Sequence, residues 1–120
     1  MKYHEVSSEW LELKPGDSVE GLFLEQEEVT LQEGGDPVTR YHILDPSGSR
    51  FSFLGGAALD RTFRARSIEP GTYVKIELVG TRPLKGGRSL KIWRVWIAQP
   101  ETDDELSLIE ELRAIAFGNG

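Results

Sequence analysis

The chain has 120 residues, 38% of them hydrophobic, which is enough for one hydrophobic core and too little for two. It contains no cysteine, so disulfide bonds and thiolate chemistry are excluded. No segment approaches the roughly 18 consecutive apolar residues of a membrane span, and the first residues lack the apolar run of a signal peptide, so we expect a cytoplasmic protein without a membrane partner.

The net charge of -6 is distributed unevenly along the chain. Residues 1–37 hold two basic and ten acidic side chains, residues 38–100 hold eleven basic and four acidic ones, and residues 101–120 hold one basic and six acidic ones. Phosphate binding draws most of its affinity from Lys and Arg, so a basic centre between acidic ends is typical of a polyanion site with acidic flanks. The alternative is that these basic residues simply cover the solvent faces of strands.

Residues 1–13 are too irregular to assign and fit either a short strand or a turn that packs on the sheet. Beyond them, alternating apolar and polar side chains predict five strands, which cover residues 18–25, 38–45, 50–54, 72–81 and 88–98. Gly21 lies inside the first strand, where a glycine indicates a bulge or a sharp bend. Apolar residues at helical intervals predict one helix over residues 57–67, between the third and fourth strands.

A second helix is predicted after the last strand. Thr102 can cap its N-terminus and Glu105 completes a capping box, while Asp103 and Asp104 favour the positive end of the helix dipole. The apolar residues of this segment form a narrow stripe, made of Leu106, Ile109, Leu112 and Ile115 or Ala116. The sequence therefore predicts an amphipathic helix that ends at Gly118.

The order of these elements resembles the OB fold, a partly open Greek-key barrel with one helix between the third and fourth strands. The resemblance covers residues 21–97, and its motifs are similar to those of phage and plasmid single-stranded DNA-binding proteins: Phe51–Leu59, Glu69–Gly80, Gly86, Gly87 and Trp93–Val95. It implies an all-β (mainly β) domain, a five-stranded OB-fold barrel at residues 17–98. An N-terminal extension, residues 1–16, would precede it, and an acidic C-terminal tail with a helix, residues 99–120, would follow.

The same resemblance implies a function. We expect binding of single-stranded DNA, or alternatively RNA, with little sequence preference, in replication or recombination. The implied site is the outer face of the second and third strands, framed by the loops between strands one and two and between strands four and five. OB barrels also serve as protein-interaction modules, so docking on a larger assembly is the alternative function.

Single strands are held by a positive groove and by aromatic rings on which bases stack. The candidate nucleic-acid-binding residues are Arg40, His42, Arg50, Phe51, Phe53, Arg82, Lys85, Arg88, Lys91, Arg94 and Trp96. Alternation alone leaves open whether Phe51 and Phe53 stack on bases or fill the barrel core. Trp96 is likewise either a stacking residue or a cover for the tail helix or for the region of Trp10.

We expect no enzymatic activity, no metal and no cofactor. His4 and His42 are the only histidines, and neither belongs to a nucleophile or metal-binding motif. The glycine pairs at 34–35 and 55–56 lie outside any phosphate-loop motif. The acidic segment 101–120 is similar to the partner-recruiting tails of single-stranded DNA-binding proteins, but its helical spacing also favours packing or self-association. We therefore expect a protein partner, or a second copy of the chain, at residues 101–120.

Overall fold

The computed structural model describes residues 9–118. Its elements in chain order are β1 (Glu9–Trp10), β2 (Ser18–Val29), β3 (Val38–Leu44), β4 (Arg50–Leu54), α1 (Ala57–Ala65), β5 (Tyr73–Pro83), β6 (Ser89–Ile97) and α2 (Asp103–Phe117). All five predicted strands and both predicted helices are present. The first predicted strand is longer than expected, and part of the predicted N-terminal extension, residues 1–8, lies outside the described residues.

The strands form one sheet in the order β1-β4-β3-β2-β5-β6. β1 runs parallel to β4, and the other neighbours are antiparallel. β1 and β6 are the two edges, and within residues 9–118 no hydrogen-bonded ladder joins them. The mainly β class is therefore confirmed, whereas the expected five-stranded OB-fold barrel is not, because the strands form one open sheet.

The open sheet nevertheless curls around an aromatic core. Phe53 on β4 and Trp93 on β6 are separated by β3, β2 and β5 in the sheet, yet their ring centroids lie only 5.8 Å apart. Tyr41 packs between Phe53, at 5.7 Å, and Phe63 of α1, at 4.8 Å. The aromatic side chains thus fill the concave face of the sheet, and α1 packs against them.

β2 bends and changes neighbours in its middle. Gly21 approaches the backbone of β3 so closely that a methyl group there would overlap the carbonyl oxygen of Leu44. The pairing of β2 with β3 is then irregular between Phe23 and Glu25, as in a bulge that places one extra residue in a strand. Because side chains alternate between the faces of a strand, this bulge moves Glu25 onto the convex face, opposite to Phe23.

α2 packs on the convex face of the sheet. Its Ile109 and Leu112 are buried in a second hydrophobic cluster with Leu22, Leu24 and Leu44. The predicted N-cap is confirmed, since the Thr102 hydroxyl accepts from the Glu105 amide at 3.1 Å. No helix within the described residues is long and apolar enough to cross a membrane. The predicted tail is therefore an integral layer of the fold.

Candidate nucleic-acid interface

The expected binding face, on β3 and β4, carries its basic residues in ion pairs with β2. His42 Nε2 lies 2.8 Å and Arg40 Nη1 3.4 Å from Glu27 Oε1. Arg50 Nη2 lies 3.0 Å from Glu25 Oε1. The bulge in β2 is what brings both glutamates to this side. The cations on this face are thus compensated within the protein, which reduces their attraction for phosphates.

These contacts change the pKa of the Glu27 carboxylate. The hydrogen bond with His42, followed by the charges of His42 and Arg40, lowers the Glu27 pKa below its ordinary value of 4.5, against the opposing effect of burial. His42 is itself only 5% exposed. Glu27 therefore remains ionised at neutral pH and holds both basic side chains flat against the strand.

Phe51 and Phe53 lie inside the hydrophobic core. They are 8% and 0% exposed and belong to the same cluster as Tyr41. The Tyr41 hydroxyl donates to the Asp60 carboxylate of α1, and burial, followed by this hydrogen bond, raises its pKa. Of the two alternatives that the sequence left open for Phe51 and Phe53, base stacking or core, their burial favours the core.

Three basic side chains project from the connection between β5 and β6. We name Arg82, Lys85 and Arg88 the basic hairpin; all three are exposed, and none forms an ion pair within the described part of the chain. A 3₁₀ turn at Lys85–Gly87 makes the tip. The sequence has no acidic residue between Glu77 and Glu101. The basic hairpin is thus a group of three exposed cations without an ion-pair partner within residues 9–118.

Arg94 and Trp96 lie on the convex face of β6, apart from the expected site. Trp96 pairs with Lys75 in the ladder, and the Lys75 ammonium lies 5.4 Å from its ring centroid. Trp96 is 43% exposed and does not belong to the cluster under α2. In the sheet, β2 and β5 lie between β6 and the basic residues of β3.

A groove runs along the gap between the two edges of the sheet. We name this groove the seam. Its volume is about 560 Å³, and it is lined by residues 10–13 on the β1 side, by Leu54 of β4 and by Lys91 of β6. Lys91 Nζ bridges the gap at 3.5 Å from the Leu54 carbonyl oxygen. A second groove of about 270 Å³ continues from Lys91 past Trp93 to Arg88 of the basic hairpin.

Trp10 is the seam residue that the sequence did not assign. Its ring is 51% exposed and stacks under the Arg40 guanidinium, whose Cζ lies 3.9 Å from the ring centroid. The Leu11 amide donates to the Ser52 carbonyl oxygen at 2.8 Å and holds this segment against β4. The only signal in the sequence was a tryptophan within a polar segment of no clear periodicity.

Comparisons with known proteins add no relative to this picture. No family model matches the chain, and neither curated proteins nor solved structures give a match.

Proposed function

We propose that this protein is an OB-type domain that binds single-stranded DNA with little sequence preference. The observation that carries the proposal is the basic hairpin, whose three cations are exposed and form no ion pair within residues 9–118, and of which Arg88 lines an open groove. Such cations contact the backbone phosphates, which are the same for every base, so they contribute affinity without sequence preference. A domain of this kind would protect or present single strands during replication or recombination, and this role requires neither a catalytic centre nor a cofactor.

The chain path supports the OB assignment. The strand order β4-β3-β2-β5-β6, with α1 connecting β4 to β5, is that of a five-stranded Greek-key barrel opened between its third and fifth strands. Phe53 of β4 and Trp93 of β6 approach each other across that opening. This fits a barrel in which β4 and β6 are separated by the seam and do not pair.

The charge arrangement indicates where the backbone of the ligand lies. Positive grooves that track the phosphates, combined with stacking on aromatic rings, hold single strands in proteins. Here the cations lie on β5 and β6, while Arg40, His42 and Arg50 are occupied by glutamates. We therefore place the phosphates along the basic hairpin and Lys91, and not on the outer face of β3 and β4 that the sequence indicated.

Titration of a fluorescein-labelled oligothymidylate by fluorescence anisotropy tests this function. We expect saturable binding at low salt, much weaker binding to a duplex of the same length, and little change when the thymidines are replaced by a mixed sequence. An RNA oligonucleotide of the same sequence decides between the two nucleic acids. Absence of binding to every single strand at low salt, or equal binding to the duplex, would overturn the proposal.

Self-association through α2 is a second candidate role, because the solvent side of this helix is unusually apolar. Ile115 is 64% and Phe117 52% exposed, next to the acidic Glu110 and Glu111. Sedimentation velocity over a range of protein concentrations tests it. A monomer at all concentrations argues against a second copy on α2 and leaves a different partner protein as the remaining occupant.

A further inference from the structure

We propose that the seam seats one base of a bound single strand, stacked on Trp10, with the adjoining phosphates on Lys91 and Arg88. The inference rests on the proposed function and goes beyond it by assigning a base-binding position that the residue pattern of the sequence did not indicate. The juxtaposition that carries it is an exposed indole on one edge of the sheet that lines the same groove as a lysine on the other edge.

Trp10 is half exposed although its side chain is large and apolar. A half-exposed tryptophan on a sheet edge leaves much of a large apolar ring in water, although burying such a ring is strongly favourable. Tryptophan presents a flat π-face on which any base can stack, without regard to its sequence. The exposed ring therefore fits a ligand with flat, sequence-independent stacking surfaces.

The orientation of Trp10 is fixed by its contact with Arg40. Arg40 stacks on the ring at 3.9 Å, and the guanidinium is itself held by Ser52 Oγ at 2.8 Å and by Glu27. The Arg40 side chain is only 15% exposed. A ring oriented in advance loses little conformational freedom on binding, which favours affinity. Arg40 thus acts as a positioning residue for the indole.

The size and the charges of the seam fit a base with its adjoining phosphates. Its volume of about 560 Å³ falls within the usual range of small-molecule sites, roughly 300 to 1,000 Å³. Glu12 places one negative charge on the β1 side of the seam, so phosphates are expected on the opposite side. Lys91 lies there and also lines the groove that leads to Arg88.

The charges around the seam favour nucleic acid over a peptide strand as its occupant. An open sheet edge can also accept a peptide strand, which pairs through its backbone. The groove that leads from Lys91 towards the basic hairpin, however, is lined by two charged side chains, Arg88 and Lys91, and both are basic. A polyanion with stacking rings satisfies both this charge and the exposed indole, and we therefore assign the seam to nucleic acid.

Anisotropy titrations of labelled oligothymidylate with Trp10→Ala and Trp10→Phe variants test the inference. Removal of one base stack weakens binding by about 5- to 140-fold, so we expect Trp10→Ala to bind in that range, and Trp10→Phe to bind nearly as the parent does. Leu31→Ala is the control, because Leu31 is a large apolar residue that is 62% exposed and lies outside the seam; it should bind like the parent. Thermal unfolding of each variant establishes that it is folded.

The outcomes separate the inference from the proposed function. If the parent binds and Trp10→Ala binds equally well, the base is seated elsewhere and the seam inference is wrong, while the proposed function stands. If the parent does not bind single strands, the proposed function itself fails. Should Trp10→Ala not fold, the Trp10→Phe variant decides: oligothymidylate should quench the tryptophan fluorescence of the parent and not that of this variant, and equal quenching in both would overturn the inference.

Discussion

Arg40 and Trp10 form a stacked pair that joins β3 to β1, with the guanidinium carbon 3.9 Å from the indole centroid. Arg40 is held from the other side by Glu27 and Ser52. The same side chain therefore links the N-terminal segment, the convex face of the sheet and the edge of the seam. This role differs from the phosphate contact that the sequence indicated for Arg40.

Replacement of Arg40 by lysine should lower stability and loosen the N-terminal segment. Lysine keeps the charge but lacks the planar group that stacks on Trp10 and bonds to Ser52. We expect a loss of about 0.5 to 2 kcal/mol in the free energy of unfolding, measured by urea denaturation. Arg61→Lys, on the exposed side of α1, is the control and should change little. An Arg40→Lys variant of unaltered stability would show that the pair contributes nothing to the fold.

The ion pair of Glu27 should make stability depend on pH in the acidic range. The Glu27 pKa is lowered in the folded protein, chiefly by the hydrogen bond with His42, so the unfolded chain takes up the proton first as the pH falls. The stabilisation is complete above the ordinary value of 4.5 and is lost as the pH drops through the lower folded value. The difference in urea midpoint between the parent and Glu27→Gln should therefore shrink below pH 4.5. A difference that stays constant from neutral to strongly acidic pH would contradict this account.

Leu112→Ala should strongly destabilise the protein. Leu112 is 2% exposed and packs on Leu22 and Leu44, so its truncation leaves a cavity and should cost about 2 to 5 kcal/mol. Leu106→Ala on the same helix, where Leu106 is 42% exposed, should change stability by no more than about 0.5 kcal/mol. Equal effects of the two variants in thermal unfolding would mean that α2 is not packed as described.

Gly21→Ala should be poorly tolerated. A methyl group there would overlap the Leu44 carbonyl and lie 2.7 Å from Ile43 Cγ2, so the strands must separate, at a cost of about 1 to 3 kcal/mol or more. Gly80→Ala, in β5 of the same sheet, meets no atom within 4 Å and should be neutral or slightly stabilising. Urea denaturation of both variants measures the contrast, and a neutral Gly21→Ala would refute the close approach of β2 to β3.

The sequence predicted most elements because their side chains follow simple periods. β5 alternates apolar and polar residues along its first half, and Thr102 with Glu105 is a recognisable capping box. The last four residues of β2 were missed because Gln26–Glu28 is a polar run without alternation. This run is a strand only because β3 pairs with it, and such pairing is a tertiary effect that local patterning does not contain.

The site was predicted less well than the fold, and the bulge in β2 explains much of the difference. A regular strand would place Glu25 and Glu27 on the same face as Phe23, whereas the bulge turns them towards Arg50 and Arg40. A shift of one residue exchanges the two faces of a strand, so the compensation of these cations could not be read from the sequence. The exposure of Arg82 and its neighbours, in contrast, could be predicted from the sequence, because turn residues surround them.

The salt dependence of binding tests the central claim most directly. If the basic hairpin and Lys91 neutralise about three to five phosphates, a plot of log affinity against log salt should have a slope of roughly -2 to -3.5. Combined replacement of Arg82, Lys85 and Arg88 by alanine should weaken binding to all single strands alike and flatten the slope by about 2. The matched control removes the same charge from the region of α1, through alanine at Arg61, Arg64 and Arg66, and should leave the slope nearly unchanged. A hairpin variant that binds with the parent's affinity and slope, or an equal loss in both triple variants, would contradict the assignment of the phosphates to the basic hairpin.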